Sequence, residues 1–334
     1  MRRMPAAVTA LAAATLCGSP ALAHHSLAMF DISKEISIEG TIARLDWKNP
    51  HIYLVVETLG EDGEPRLIQG EGLAITQALV DGLRPEALQP GTPVVMRANP
   101  NRRATSDTVR LLDVTTPDDG IQPFYAGNAV PRELTPAESL AGHWAPSLQA
   151  TNGAFAAAGG WPFSAAGRAV QAAGRNTDGL CIIEPTPFLA MLNELRMIEI
   201  GDDEIVIRFD NSGDVGVRVI ELAEAHPADV EPSLFGHAIA HWEDETLVID
   251  TVAFEPNDWG LFSGIPSSTG KHTVEWITLT DDRTQLRYES TVEDLVYLEE
   301  PANFTMLWDH RPDLEMSPPE EACDPAIARR YLEQ

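Results

Sequence analysis

The run FGHAIAHWEDETLVIDTVAF, from Phe235 to Phe254, constrains the fold more than any other stretch. Two β-rich segments meet at the acidic pair Glu243-Asp244, which is the pattern of a β-hairpin. The second segment, Leu247 to Phe254, is apolar at both alternating sets of positions and reads as a central strand covered on both sides. Asp250 alone interrupts it. A carboxylate in that setting has to be paired, protonated or functional.

The rest of the second half supplies neighbours for this strand. Candidate strands run over Arg196–Ile200, Glu204–Phe209, Val215–Leu222, His272–Thr280, Gln285–Val292 and Asn303–His310. Turn signals such as Gly201-Asp202-Asp203 and Asp281-Asp282 separate several of them. About eight consecutive antiparallel strands that bury one face close naturally into an up-and-down barrel, which leaves no edge. A lipocalin-like β-barrel is therefore expected, with a β-sandwich as the alternative. Ahead of it, Ala150 to Gly160 reads as small and flexible, and Phe163 to Ala173 as a helix capped by Ser164.

The first half has a different rhythm. Ile36–Trp47, His51–Thr58, Pro65–Gln69, Thr92–Ala98 and Thr108–Thr115 read as five short strands. Leu73 to Gly82 has helical spacing and falls between the third and fourth. That order fits an OB-like barrel. OB folds often hold oligonucleotides, but the formal net charge of this chain is -28. Such a surface repels nucleic acid and anionic lipid, so neither is an expected partner.

Residues 1–23 read as an export signal. Arg2 and Arg3 precede an apolar run, and Ala21-Leu22-Ala23 has the small-x-small cleavage pattern. The apolar run is too short to span a membrane. The expected organisation is thus a signal at 1–23, an OB-like barrel at 24–116, a Pro- and Gly-containing linker at 117–140 and the second barrel at 141–334. A periplasmic or secreted location follows. There, Cys181 and Cys323 would most simply form one disulfide. A loop that long gains roughly 4–5 kcal/mol in the chain-entropy model.

Two sets of motifs carry a resemblance. HHSLAMFD at His24–Asp31 and EGTIARLDWKNPH at Glu39–His51 resemble a family of exported bacterial proteins of unknown function, whose pattern is close to HHSFAMFD, GTV and W-x-NPH. That likeness covers about His24 to Asp119. The second half resembles an uncharacterised companion family with a GHSIG-x-WEGDTLVVDT signature. Its features stand here as Gly142-His143-Trp144, SAAGRAV, Cys181 to Pro185, the hairpin, Val274-Glu275-Trp276 and Glu293-Asp294-Leu295. Ala238, Ala240 and His241 replace that family's Ser, Gly and Arg, and Ser267 and Leu295 replace its His and Pro. The resemblance implies an exported β-rich protein and no known reaction.

Three groups of residues could carry chemistry. After cleavage, His24 would offer its α-amine and imidazole to one metal ion, with His25 or His51 adding a nitrogen. Nitrogen donors of that kind suit copper. On the hairpin, His237, Ile239 and His241 share a face, but His237 and His241 lie about 13–14 Å apart along a strand, too far for one metal ion. If that face lines the barrel, one of these imidazoles suits acid–base work. Asp250, Glu275, Glu289 and Asp294 fall on neighbouring candidate strands, and a buried acid near a histidine makes a general acid–base pair. The candidate catalytic set is His237, Asp250 and Glu275. Six of the seven tryptophans lie in the second half. Trp242, Trp276 and Glu289 are the candidate ligand contacts, assuming a cavity. The expected function is binding of a small, partly apolar molecule in the second barrel. The alternatives are a hydrolase or isomerase in the same cavity, or a copper-binding protein acting through His24. Gly-rich phosphate loops, G-x-S-x-G, HExxH and CxxC are all missing from the sequence.

Overall fold

A computed structural model describes residues 29–49, 51–60, 62–124, 133–173, 183–211 and 214–316. The expected export signal at 1–23, the proposed metal ligands His24 and His25, and the expected disulfide partners Cys181 and Cys323 lie outside the described residues. The protein is mainly β, with a closed barrel in each half.

The first barrel is formed by β1 (Ile36–Asp46), β2 (Tyr53–Leu59), β3 (Pro65–Glu71), β4 (Pro93–Asn99) and β5 (Thr108–Thr116), with α1 (Ile75–Val80) between β3 and β4. The strand order is β3-β2-β1-β4-β5, and a parallel pairing of β3 with β5 closes it. This is the OB arrangement. One long strand makes it possible. The first half of β1, up to Thr41, pairs with β4, and from Thr41 onward it pairs with β2. A register irregularity between Ile42 and Arg44 helps the strand turn from one neighbour to the other. Gly40 sits just before that point, where a Cβ would run into the Glu57 carbonyl oxygen. Ile42, Leu54, Val56, Met96, Leu111 and Val114 fill the interior. A short sixth strand, β6 (Gly120–Pro123), adds to β5, and Phe124 after it is buried in the same core.

The second barrel uses β7 (Gly142–Ala145), β8 (Arg196–Ile200), β9 (Glu204–Asn211), β10 (Asp214–Leu222), β11 (His237–Glu243), β12 (Thr246–Val252), β15 (His272–Leu279), β16 (Gln285–Glu293) and β17 (Ala302–His310). Two short strands, β13 (Asn257–Phe262) and β14 (Ile265–Ser267), pair separately between β12 and β15. Nine strands cannot alternate direction around a closed ring, so one neighbouring pair must be parallel. That pair is β10 with β11, which corrects the fully antiparallel, eight-strand expectation. The crossover at 223–236 connects them. The organising hairpin forms as expected, with β12 central between β11 and β15. Asp244 in its turn has a φ of 54°, which Asp tolerates better than most residues.

The segment between β7 and β8 covers this barrel. It holds α2 (Leu148–Gly159), α3 (Ala165–Ala173) and α4 (Phe188–Met191). The flexible reading of 150–160 is overturned, because α2 is a helix whose Ala154 and Ala158 are packed in the core. Ser147 caps it by accepting a hydrogen bond from the Ala150 N–H. Ser164 likewise accepts from the Gly167 N–H at the start of α3.

Candidate functional site

Alternation along the strands decides which side chains face inward. On β12, Leu247, Ile249 and Thr251 are buried inside, which puts Val248 and Asp250 on the outer face. On β11, Ala238 and Ala240 belong to the core, so His237, Ile239 and His241 face out. On β15, Thr273, Glu275 and Ile277 point in, and His272, Val274 and Trp276 point out. The face carrying His237 therefore does not line the barrel. The sequence pattern was open on this point because both faces of the hairpin are apolar.

His237 and Asp250 nevertheless meet, on the outside. The crossover from β10 to β11 lays His226 between them. His226 Nε2 is 2.8 Å from Asp250 Oδ1, and its Nδ1 is 2.8 Å from His237 Nδ1. His272, at the start of β15, places Nε2 2.9 Å from Asp250 Oδ2. Each end of the chain meets a glutamate. Glu221 Oε1 lies 3.7 Å from His237 Nε2, and Glu293 Oε2 lies 3.6 Å from His272 Nδ1. Six titratable groups thus run in a line over β10, β11, β12, β15 and β16. His226 and His237 are 19% and 18% exposed, against 34% for His272 and 36% for Asp250.

Hydrogen-bond logic fixes the protons. An ionised carboxylate only accepts, so His226 and His272 each present Nε2–H to Asp250. In the neutral form His226 Nδ1 carries a lone pair, and the 2.8 Å contact then requires the proton to sit on His237 Nδ1. This leaves His237 Nε2 and His272 Nδ1 as basic nitrogens, each with a glutamate nearby to stabilise the imidazolium formed when it takes a proton. Burial raises the Asp250 carboxyl, but hydrogen bonds from His272 and His226 outweigh it and hold the group below its ordinary value of 3.8. Asp250 thus remains the anionic hub at neutral pH. The arrangement can abstract a proton, return one, or activate water.

The other sequence candidates lie elsewhere. Glu275 is on the inner face, opposite in direction to Asp250, and is not part of this cluster. Its oxygens accept from Arg218 Nη1 at 2.9 Å, from Arg218 Nη2, and from the Tyr288 hydroxyl at 2.5 Å. It faces Ser290 across the ladder, not Arg287 or Glu289. Burial opposes the charge on Arg218, and Glu275 more than restores it. Burial, with Glu275 beside it, pushes the Tyr288 hydroxyl well above 10. Glu275 is therefore committed to a buried ion pair. Trp276 and Glu289 are cross-strand partners on the outer face. Trp242 ends β11 beside the turn and is 42% exposed. These three do not gather around an internal cavity. Asp294 caps a turn, accepting from the N–H groups of Ser268, Val296 and Tyr297. His241 contacts only Glu243 among the cluster-type groups, at 3.2 Å.

His226 and His272 were missed as site residues. His272 was legible as a polar residue opening a candidate strand. His226 sits in a loop, Glu224-Ala225-His226-Pro227, where no periodicity announces it. Of the proposed copper ligands, only His51 is described. Its Nδ1 donates to the Gly72 carbonyl oxygen at 2.9 Å, and its ring meets Tyr53 edge-on. Among the described residues, no three His, Cys, Asp or Glu side chains are placed to hold one metal ion. No helix among them is long and apolar enough to cross a membrane.

Residues 12–110 match a family of unknown function, DUF6152. The match ends within β5, so it concerns the first barrel and leaves the histidine cluster untouched. No curated protein matches the chain.

Proposed function

We propose that this is an exported protein whose second barrel carries an acid–base catalytic site on its outer face, serving a hydrolase or isomerase reaction on a small polar substrate. The observation that supports the reading is the double use of Asp250, which accepts a hydrogen bond from two imidazoles while a third imidazole bonds to the first. This is base-and-orienter logic. His237 Nε2 takes the proton, His226 fixes its tautomer, and Asp250 fixes His226. The proton taken up at His237 Nε2 is returned from the same imidazolium to the departing or rearranged group, while His272 holds Asp250 from its other side. Both steps fit substrates that need proton transfer without a covalent intermediate.

The test compares four proteins: wild type, His237→Gln, Asp250→Asn and His241→Gln. Each is assayed for hydrolysis of small nitrophenyl esters and for solvent deuterium uptake next to the carbonyl of small ketones. General acid–base catalysis contributes roughly 100- to 10,000-fold, so the first two variants lose activity on that scale with the fold retained by circular dichroism. His241→Gln keeps wild-type rates, because His241 shares the face but not the cluster. Equal rates in wild type and His237→Gln would overturn the proposal.

A further inference from the structure

The first barrel is open at one end. A cavity of about 640 Å³ lies where β1 begins, β2 ends, β3 begins and the β4–β5 connection crosses. Its size falls within the range of small-ligand sites, and barrel mouths are common places for them. The cause is the long strand that lets the barrel form. From Thr41 onward β1 pairs with β2. Ile36 to Gly40 pair with β4 on one side, and no strand among the described residues pairs with their other side. Beyond Thr41 and Glu57 the two strands part. The Thr58 side chain bridges the gap, its hydroxyl donating to the Glu39 carbonyl oxygen at 2.7 Å. That bond shows which way the β1 backbone faces. The N–H and C=O groups of a strand residue point to the same side, and every second residue repeats the direction. Ser37 and Glu39 therefore turn their backbone groups toward the gap. Four consecutive β1 residues, Ile36 to Glu39, line the cavity. Side chains alternate between faces, so consecutive lining means that the cavity runs along the strand's hydrogen-bonding edge.

The side chains around this edge are of two kinds. Ile36, Ile38, Ile68 and Val109 belong to the barrel's core and give the cavity an apolar wall. Two arginines also line it. Arg66 is paired with Asp107. Arg103 is exposed on the β4–β5 connection, and its guanidinium has no ion pair or hydrogen bond among the described residues. Glu39, the carboxylate among the lining residues, repels an anion, so a negative group belongs beside Arg103. We propose that this mouth binds the end of an extended peptide, which adds a strand of about four residues to the free edge of β1 and sets its terminal carboxylate on Arg103. Apolar side chains of the peptide then pack against the isoleucine wall. An open strand edge presents alternating donors and acceptors, which is the pattern of another peptide backbone. A second copy of the chain fits less well, because a formal net charge of -28 sets the copies against each other. The site is separate from the histidine cluster, which lies on the second barrel.

The test uses the full chain and an acetylated tetrapeptide of alternating threonine and valine with a free C-terminus. The controls are its C-terminal amide, a form with N-methylated backbone amides, and butyrate. Titration heat reads the binding, and amide exchange reads its place. The free acid is expected to bind saturably and to slow exchange at residues 36–39. The C-terminal amide binds about two- to fivefold more weakly, the scale of one exposed ion pair. Arg103→Gln weakens the free acid by the same factor and leaves the amide form unchanged. N-methylation removes the edge hydrogen bonds and abolishes binding. Ser37→Pro does the same from the protein's side, since proline is tolerated where an N–H points away from the neighbouring strand. Should that variant misfold, the N-methylated peptide still decides the point. Failure of the free acid to bind, or binding without slowed exchange at 36–39, overturns the proposal. So does equal binding of the free acid and any one of the three controls. A wild-type dimer that Ser37→Pro turns into monomer also overturns it, and makes a second copy the occupant.

Discussion

Asp250 and Glu275 show how one strand register separates two carboxylates that look alike in the sequence. Asp250 is held below 3.8 by the hydrogen bonds of His272 and His226 against the effect of burial. A carboxyl lowered in the folded state stabilises the fold above its unfolded value, and that contribution is lost as the pH falls through the folded value. The melting temperature of wild type should therefore exceed that of Asp250→Asn near neutral pH, with the gap closing as the pH drops below about 4. A constant gap across that range would mean that Asp250 is not held by the imidazoles. Glu275 works differently, because both it and Arg218 are 1% exposed. Glu275→Gln strands a buried guanidinium and should cost about 3–5 kcal/mol in chemical denaturation, while Arg218→Met combined with Glu275→Leu should recover most of the loss. His237 and Asp250 were legible as candidates because charge on an otherwise apolar hairpin stands out. Their true link was not legible, because His226 reaches them through a loop. Which face of the hairpin points inward was not legible, because both alternating sets, Ala238 and Ala240 on one and Ile239 on the other, are apolar.

Among the elements, alternation and turns placed nearly every strand of both barrels, since each strand buries one face and period two survives in the sequence. Two features were hidden for separate reasons. The helix α2 is built from small residues, and its short side chains leave no apolar stripe to read. Its five alanines in twelve residues are themselves a helix signal, as is Ser147 at the cap. Ser147→Ala should cost about 1 kcal/mol of stability, measured by denaturant midpoint at unchanged slope. The parallel closure of β10 on β11 was hidden because ring parity belongs to the whole barrel, and no single strand encodes it. Gly40 controls the passage of β1 from β4 to β2 in the first barrel. In Gly40→Ala the new methyl meets the Glu57 carbonyl and lies 2.6 Å from the Val56 Cγ1 atom. The β1–β2 ladder should open there, costing about 1–3 kcal/mol, with amide exchange speeding up at β2 before the rest of the barrel.

At the scale of the molecule, the two barrels meet at α1 through buried polar contacts and a small apolar cluster. Arg311, directly after β17, donates from Nη1 to the Val80 carbonyl oxygen at 2.8 Å and pairs with Asp313 at 2.8 Å. Gln77 donates to Glu194 at 3.1 Å, and Asn193 to Asp81 at 3.2 Å. Val80, Ala145 and Leu195 form a small apolar patch beside them. This join holds together two bodies in a chain with 51 acidic and 23 basic residues. Repulsion between exposed like charges acts across the join and weakens with salt, as the screening length shrinks from about 30 Å at 0.01 M to about 8 Å at 0.15 M. Arg311→Met removes the buried cation and leaves the Val80 carbonyl without this donor, a loss of roughly 1–3 kcal/mol at the join. Calorimetry of the wild type should therefore give a melting temperature that rises with salt and a single transition at 0.15 M. In Arg311→Met the transition should split into two at 0.01 M and draw together as salt is added. The split should be greatest where repulsion is least screened, because the variant has lost the tie that opposes it. A single transition for Arg311→Met at every salt concentration would show that the barrels are held together by something other than Arg311.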